Sequence, residues 1–400
     1  MVNSLPHSMM HHTIGAHTSG SSFTQFIKHM KLLVRKSLSV WLTVVIGWQV
    51  ASVLFTMVGI SYFKSMSSMV GLEITEQNAA MITYIDSYYP YLESSLFGLF
   101  FGTLFYLIYW LTENTTLRRK TIGKIIMVHC ISYILAFAVV FMIIGYFVVQ
   151  LKFFPVKDYE HFIELVSNNY SVLVSFIIYI FVVIIVINSF LEIRKKFGPG
   201  NLWKLLAGRY HVPVSENRIF MFLDLKDSTG YAEQLGHIKY SQLIQDCFLY
   251  LNNIVDDYDA QIYQYVGDEA VLTWDMDDKS SIENSISLFF AYQGLLKSKE
   301  HKFIGKYGFL PEFKAGINEG RVTAAEIGNI KREIAYHGDV LNTGARIQSI
   351  CNEFKKNLLV SEVFAKRMNG ISKYRKEFIG NLNLKGKSHS IDVFSVEPAA

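Results

Sequence analysis

Four stretches of the chain, residues 37–63, 94–112, 125–151 and 165–191, contain no Asp, Glu, Lys or Arg. Each reaches the ~20 residues that an α-helix needs to cross a hydrocarbon layer. Helices packed on a water-soluble core would show polar faces at helical period, and these stretches show almost none. They predict four transmembrane helices within a membrane domain over residues 37–192. Composition agrees, since 51% of the 400 residues are hydrophobic, more than a water-soluble chain of this length carries.

Basic residues cluster in alternate connections. Lys28, Lys31, Arg35 and Lys36 precede the first span, Arg118, Arg119, Lys120 and Lys124 separate the second and third, and Arg194, Lys195 and Lys196 follow the fourth. Cytoplasmic loops retain positive charge, so these segments, both termini and everything after Glu192 are expected on the inner face of a multi-pass cell (inner) membrane protein. The loops at 64–93 and 152–164 hold more acids, Glu73, Asp86 and Glu160 among them, and are expected outside. Residues 1–36 read as a disordered cytoplasmic tail. The formal charge of +4 is explained largely by the basic loops and calls for no nucleic-acid partner.

Phe197-Gly-Pro-Gly breaks any helix leaving the membrane, and residues 193–216 read as a coupling linker with a short helix around Leu202, Trp203, Leu205 and Leu206. From 217 to 400 strand-like and helix-like patterns mix, which predicts one α+β domain. Strands are expected at 219–225, 260–266, 270–274, 312–318, 321–327, 378–384 and 390–396, and helices at 230–258, 280–297, 339–351 and 361–367.

Two acids stand at the ends of apolar strands. Asp224 lies in Phe-Leu-Asp-Leu-Lys-Asp-Ser-Thr (222–229) and Asp268 in Tyr-Val-Gly-Asp-Glu (265–269). Paired carboxylates of this kind suit divalent cations facing a nucleotide, and Ser228, Thr229 and Gly230 open a helix whose N–H groups suit phosphate. The same residues also serve as ordinary helix caps, Asp227 above all, and as hairpin turns. A third element narrows the choice. In Gly338–Arg346, Asn342 and Arg346 are four residues apart and project from one helix face, where an amide and a guanidinium suit a sugar and a phosphate gaining negative charge.

With these motifs in this order, about Asn217 to Val396 resembles the class III nucleotide cyclases, the adenylyl and guanylyl cyclases, in their bacterial membrane-anchored form. The resemblance implies a ferredoxin-like α+β catalytic domain working as a head-to-tail homodimer, with metals held by one subunit and the Asn/Arg pair supplied by the other. Asp224 and Asp268, with the Leu225 carbonyl, would hold two Mg²⁺ or Mn²⁺ ions per site. Asn342 would orient the ribose and Arg346 stabilise the pentavalent phosphate. Lys385 and Lys387, in a basic hairpin, would reach the triphosphate, while Gln264 and Gly267 lie where the nucleotide binds. The activity implied is conversion of ATP to 3′,5′-cyclic AMP and pyrophosphate, with GTP to cyclic GMP as the alternative.

Purine choice is not fixed by the usual pair, because Gln264 and Ala335 stand where the best-known adenylyl cyclases have Lys and Asp. Tyr265–Glu269 is also similar to the GGDEF signature of diguanylate cyclases, which lacks the Asn-x-x-x-Arg helix. A catalytically silent receptor module is expected to have lost at least one of Asp224, Asp268, Asn342 and Arg346. A transporter would be expected to place charge within its spans, where His129 is the one ionisable residue.

Overall fold

The computed structural model describes residues 21–70, 76–113, 122–151, 164, 168, 170–197, 201–276, 280–330, 332–382 and 390–399. The chain divides into two compact units, Met1–Lys196 and Phe197–Ala400.

The first unit is helical: α1 Ser21–Val70, α2 Glu76–Asp86, α3 Tyr89–Glu113, α4 Ile122–Leu151 and α5 Tyr170–Phe197. Four segments, Ser37–Val70, Tyr89–Thr112, Gly123–Val140 and Val174–Lys195, are long and apolar enough to cross a membrane. Their buried faces meet in an aromatic-rich cluster that includes Trp48, Phe101, Phe105, Tyr133 and Ile184. Val58, Leu135 and Val186 remain exposed on the outer faces, as suits hydrocarbon rather than water.

Gly98 and Gly102 bring α3 onto α1, since a Cβ on either would lie 2.8 Å from the Cα of Gln49 or Val45. This is the small-xxx-small spacing by which apolar helices approach closely. One polar chain crosses the bundle. His129 Nε2 lies 2.6 Å from Thr112 Oγ1 and His129 Nδ1 2.8 Å from Asn188 Oδ1, while Asn188 Nδ2 donates to the Ile184 carbonyl. It ties α3, α4 and α5.

One expectation changes here. Residues 21–36, expected in the disordered tail, are helical and continue into the first span; no Gly or Pro interrupts Ser21–Lys36. The loop at 64–93 is in part ordered, holding the end of α1, all of α2 and the start of α3. Residues 1–20, 152–163 and the Gly-Pro-Gly at 198–200 lie outside the described residues.

The second unit begins with α6 Asn201–Leu206 and continues β1 Val214–Leu225, α7 Ser228–Ile254, a 3₁₀ turn Val255–Tyr258, β2 Gln261–Val266 and β3 Glu269–Asp275. It proceeds through α8 Ser281–Ser298, α9 Glu300–Tyr307, β4 Phe313–Ile327, β5 Glu333–His337 and α10 Asp339–Ser349. It closes with β6 Leu358–Ser361, α11 Glu362–Arg367, β7 Tyr374–Leu382 and β8 Ile391–Pro398. The sheet runs β2-β3-β1-β4-β6-β8-β7, with β5 added to β4. Every pairing is antiparallel except β4 with β6.

Strand β1 is central and buried on both faces, which explains its unbroken apolar run. Ile219, Met221, Leu223 and Leu225 face a core shared with Leu243, Cys247 and Leu251 of α7 and Ile286 and Phe289 of α8. Phe220 and Phe222 face a second cluster with Val271, Val322, Tyr336 and Val340. Asp224 is the polar interruption in that run.

The expected strands at 312–318 and 321–327 are one strand, β4, which passes through Gly320 at φ +155°. A Cβ there would lie 2.8 Å from Val340 Cγ2. Strand β1 starts at Val214, before the expected boundary at 217, and its first residues alternate between partly buried and exposed. Helix α9 and the short strands β5 and β6 were not expected; β6 is four residues long, too brief for a periodic signal.

Candidate active site

Asp224 sits one residue from the end of β1, with Glu269 of β3 opposite it on one side and Lys314 of β4 on the other. Asp268 follows Gly267, whose φ of +61° makes the tight turn of the β2–β3 hairpin. The hairpin therefore carries Asp268 to the flank of Asp224. Burial, and then the negative charge of Asp268, raise the Asp224 carboxyl above its ordinary pKa. Glu269 is pushed up to about 7 by burial, and then by Asp224 and Asp268. Lys314 opposes both shifts.

Asp224, Asp268 and Glu269 thus lie close enough to repel one another, and Lys314 offsets that repulsion at Asp224 and Glu269. Among the described residues no three His, Cys, Asp or Glu side chains form a metal cage. The donor set is nonetheless all oxygen and in negative excess, which fits hard divalent cations whose remaining ligands are carbonyl, water and substrate phosphate. The Leu225 side chain is buried, and its backbone pairs with Phe313 at the edge of the site.

After β1 the chain turns at Lys226-Asp227 into α7, whose first turn holds Ser228, Thr229 and Gly230. Asp227 occupies the position before the helix in a left-handed conformation, φ +52°, and its side chain makes no capping bond. This corrects the expected cap. A Cβ on Gly230 would lie 2.8 Å from both Asp227 carboxylate oxygens, so that carboxylate lies over the glycine instead of reaching the helix N–H groups. The Ser228 side chain lies beside Tyr240. Thr229 is exposed.

Gln264 is exposed on β2, next to a register shift between Ile262 and Gln264. Ala335 is buried in β5 opposite Ala325. Lys385 and Lys387 lie outside the described residues.

Helix α10 packs on β4 through two glycines. A Cβ on Gly316 would lie 2.3 Å from Gln348 N and 2.6 Å from the Gly344 carbonyl oxygen, and one on Gly344 would meet the Phe222 ring at 2.8 Å. The buried face of the helix comprises Val340, Thr343, Gly344, Ile347 and Gln348. From it Gln348 Nε2 donates to Asp224 Oδ2 at 2.7 Å.

Asn342 and Arg346 lie on the other face, exposed and partly exposed, and among the described residues neither side chain has a hydrogen-bond or ion-pair partner. At about 100° per residue, Arg346 is turned about 160° from Gln348. Because Gln348 points at Asp224, Arg346 points away from it. A single chain brings Asp224 and Asp268 together but turns Asn342 and Arg346 outward.

Three residues of the site were not expected: Lys314, Gln348 and Glu269. Lys314 left a trace, being the one cation in a strand that is otherwise apolar from Phe313 to Ile317. Gln348 left none, since its partner lies 124 positions away.

Residues 212–397 match the family model described as the adenylate and guanylate cyclase catalytic domain. Among curated proteins, Adenylate cyclase 2 of Rhizobium meliloti (strain 1021) is 32% identical over 206 residues, covering 52% of this chain and 57% of that protein. Adenylate cyclase of Anabaena cylindrica is 22% identical over 219 residues, 52% of this chain and 43% of that protein. The chain therefore spans about half the length of the curated relatives it matches. The crystal structure of the adenylyl cyclase CyaB from P. aeruginosa aligns at a TM-score of 0.43 and 17% identity, over 47% of this chain and 97% of that one. Residues 212–397, which carry the acid, acid and Asn-x-x-x-Arg motifs on a mixed α+β sheet, are thus similar to the adenylate and guanylate cyclase catalytic domain.

Proposed function

We propose that the chain is a membrane-anchored adenylate cyclase that converts ATP to 3′,5′-cyclic AMP and pyrophosphate as a homodimer, and so transmits a signal to the cytoplasm. The observation that carries this reading is the two-faced helix α10, which anchors Asp224 through Gln348 and turns unpartnered Asn342 and Arg346 outward. The outward pair then serves the acid pair of a second chain. Support for ATP comes from the two curated relatives, both described as adenylate cyclases.

In this reading Asp224, Asp268 and the Leu225 carbonyl hold two Mg²⁺ or Mn²⁺ ions. Bound there, such ions supply charge neutralisation and a lowered pKa for the ribose 3′-hydroxyl. Asn342 of the partner orients the ribose so that its 3′ oxygen lies in line with the α-phosphorus. As that O–P bond forms and the bond to the leaving pyrophosphate breaks, Arg346 carries the charge gathering on the α-phosphoryl oxygens. N–H groups at Ser228, Thr229 and Gly230 cradle phosphate, with Lys385 and Lys387 adding positive charge. Gly267 lets the hairpin turn tightly enough to present Asp268, and the Gln264 amide, able to donate or accept, meets the purine edge. The four apolar helices hold the chain in the bilayer, with both termini and the catalytic domain cytoplasmic.

The test offers the full-length chain, in nanodiscs, ATP and GTP separately with Mg²⁺ and with Mn²⁺, and quantifies both cyclic products. Cyclic AMP is expected from ATP, with turnover falling more than about 100-fold in Asp224→Ala. Cyclic GMP alone would move the reading to guanylate cyclase, and no product from either nucleotide would sink it.

A further inference from the structure

Lys314 and Gln348 are buried, 8% and 6% exposed. Lys314 faces Asp224 across the β1–β4 register and holds its Nζ 3.4 Å from Asp224 Oδ2. Gln348 donates to the same oxygen at 2.7 Å. Among the described residues Asp224 is the one side chain that either hydrogen-bonds or pairs with.

A buried ammonium loses hydration that a single long contact does not return. Methionine would fill the same length of strand without that loss, so packing gives no reason for Lys314. Its charge acts on Asp224 and Glu269. The two residues also differ in kind: an amide orients a carboxylate without adding charge, whereas an ammonium repels any cation that enters beside it.

Resting on the metal site proposed above, we propose that Gln348 and Lys314 are positioning residues that act on it in opposite senses. Gln348 pins Asp224 through Oδ2 and leaves Oδ1 to the entering cation. Lys314 is a resident counter-charge that steadies the carboxylates and that a divalent cation must overcome. A merely structural role predicts that loss of either residue weakens cation binding; this arrangement predicts opposite signs.

The experiment follows Mn²⁺ binding to the full-length chain in nanodiscs without nucleotide, by the electron paramagnetic resonance signal of free Mn²⁺. Gln348→Met is expected to bind Mn²⁺ about tenfold more weakly, the usual consequence of losing a group that orients a metal ligand. Lys314→Met is expected to bind it about tenfold more tightly, and Lys314→Arg, which keeps the charge, to stay near the parent value. Should Lys314→Met not fold, Lys314→Gln carries the same expectation. Weaker binding in both the Gln348 and Lys314 variants, or no change in either, overturns the inference while leaving the metal site standing. Binding that survives Asp224→Asn overturns the metal site and the inference together.

Discussion

An equal mixture of Asp224→Asn and Arg346→Ala chains is expected to regain about a quarter of parental cyclic nucleotide formation, although each variant alone is nearly inactive. Arg346→Ala alone should lose about 10³-fold, as when a guanidinium is withdrawn from a phosphoryl transition state. Rescue follows from the outward face of α10. In the proposed head-to-tail dimer, each site would take its acids from one chain and its Asn and Arg from the other. A mixed dimer therefore has one site lacking both functional groups and one site lacking neither. Random pairing makes half the dimers mixed, each with one of two sites intact, hence the quarter. The assay needs the full-length chains co-expressed, with cyclic product measured per chain. A mixture no more active than its components would mean that Arg346 serves the acids of its own chain, and the homodimer would fall with that result.

What the sequence made legible here, and what it hid, follows from the range of each signal. Spans of charge-free residues are contiguous, so four of them stand out before any fold is known, and α3, α4 and α5 cover most of the expected second, third and fourth spans. Asp224, Asp268, Asn342 and Arg346 sit in short local motifs, so their order along the chain is informative. The start of α1 at Ser21 is not legible, because a polar-rich segment without Gly or Pro is compatible with either a tail or a helix. Strand β4 was split because Asn318-Glu319-Gly320 has turn composition, whereas its backbone stays paired with β1 from Phe313 onward. Gln348 and Lys314 escaped for a different reason: each contacts Asp224, and that contact exists only once β1, β4 and α10 have met. Asp227 shows the converse, a residue whose type suggests a cap but whose left-handed backbone aims the carboxylate elsewhere.

The fit of α10 on the sheet should be the most sensitive structural feature of the site, and Gly316→Ala is expected to reveal it. The added methyl would lie 2.3 Å from Gln348 N, 2.6 Å from the Gly344 carbonyl oxygen and 2.8 Å from Gln348 Cα. All three atoms are backbone, so no rotamer change can relieve the clash and the helix must lift from β4. Overpacking of this sort costs about 3 kcal/mol. Lifting α10 also lengthens the 2.7 Å bond from Gln348 to Asp224 and displaces Asn342 and Arg346. Misplacement by about 1 Å costs on the order of 100-fold in turnover. Gly344→Ala makes a useful contrast, because its methyl meets the edge of the Phe222 ring at 2.8 Å and a side chain can yield. The expected order, by thermal midpoint and by kcat, is parent, then Gly344→Ala, then Gly316→Ala. Equal losses in the two variants would mean that the helix moves as freely as the ring. Asp224 and the pair Asn342 and Arg346 would then no longer be held in register by one rigid contact.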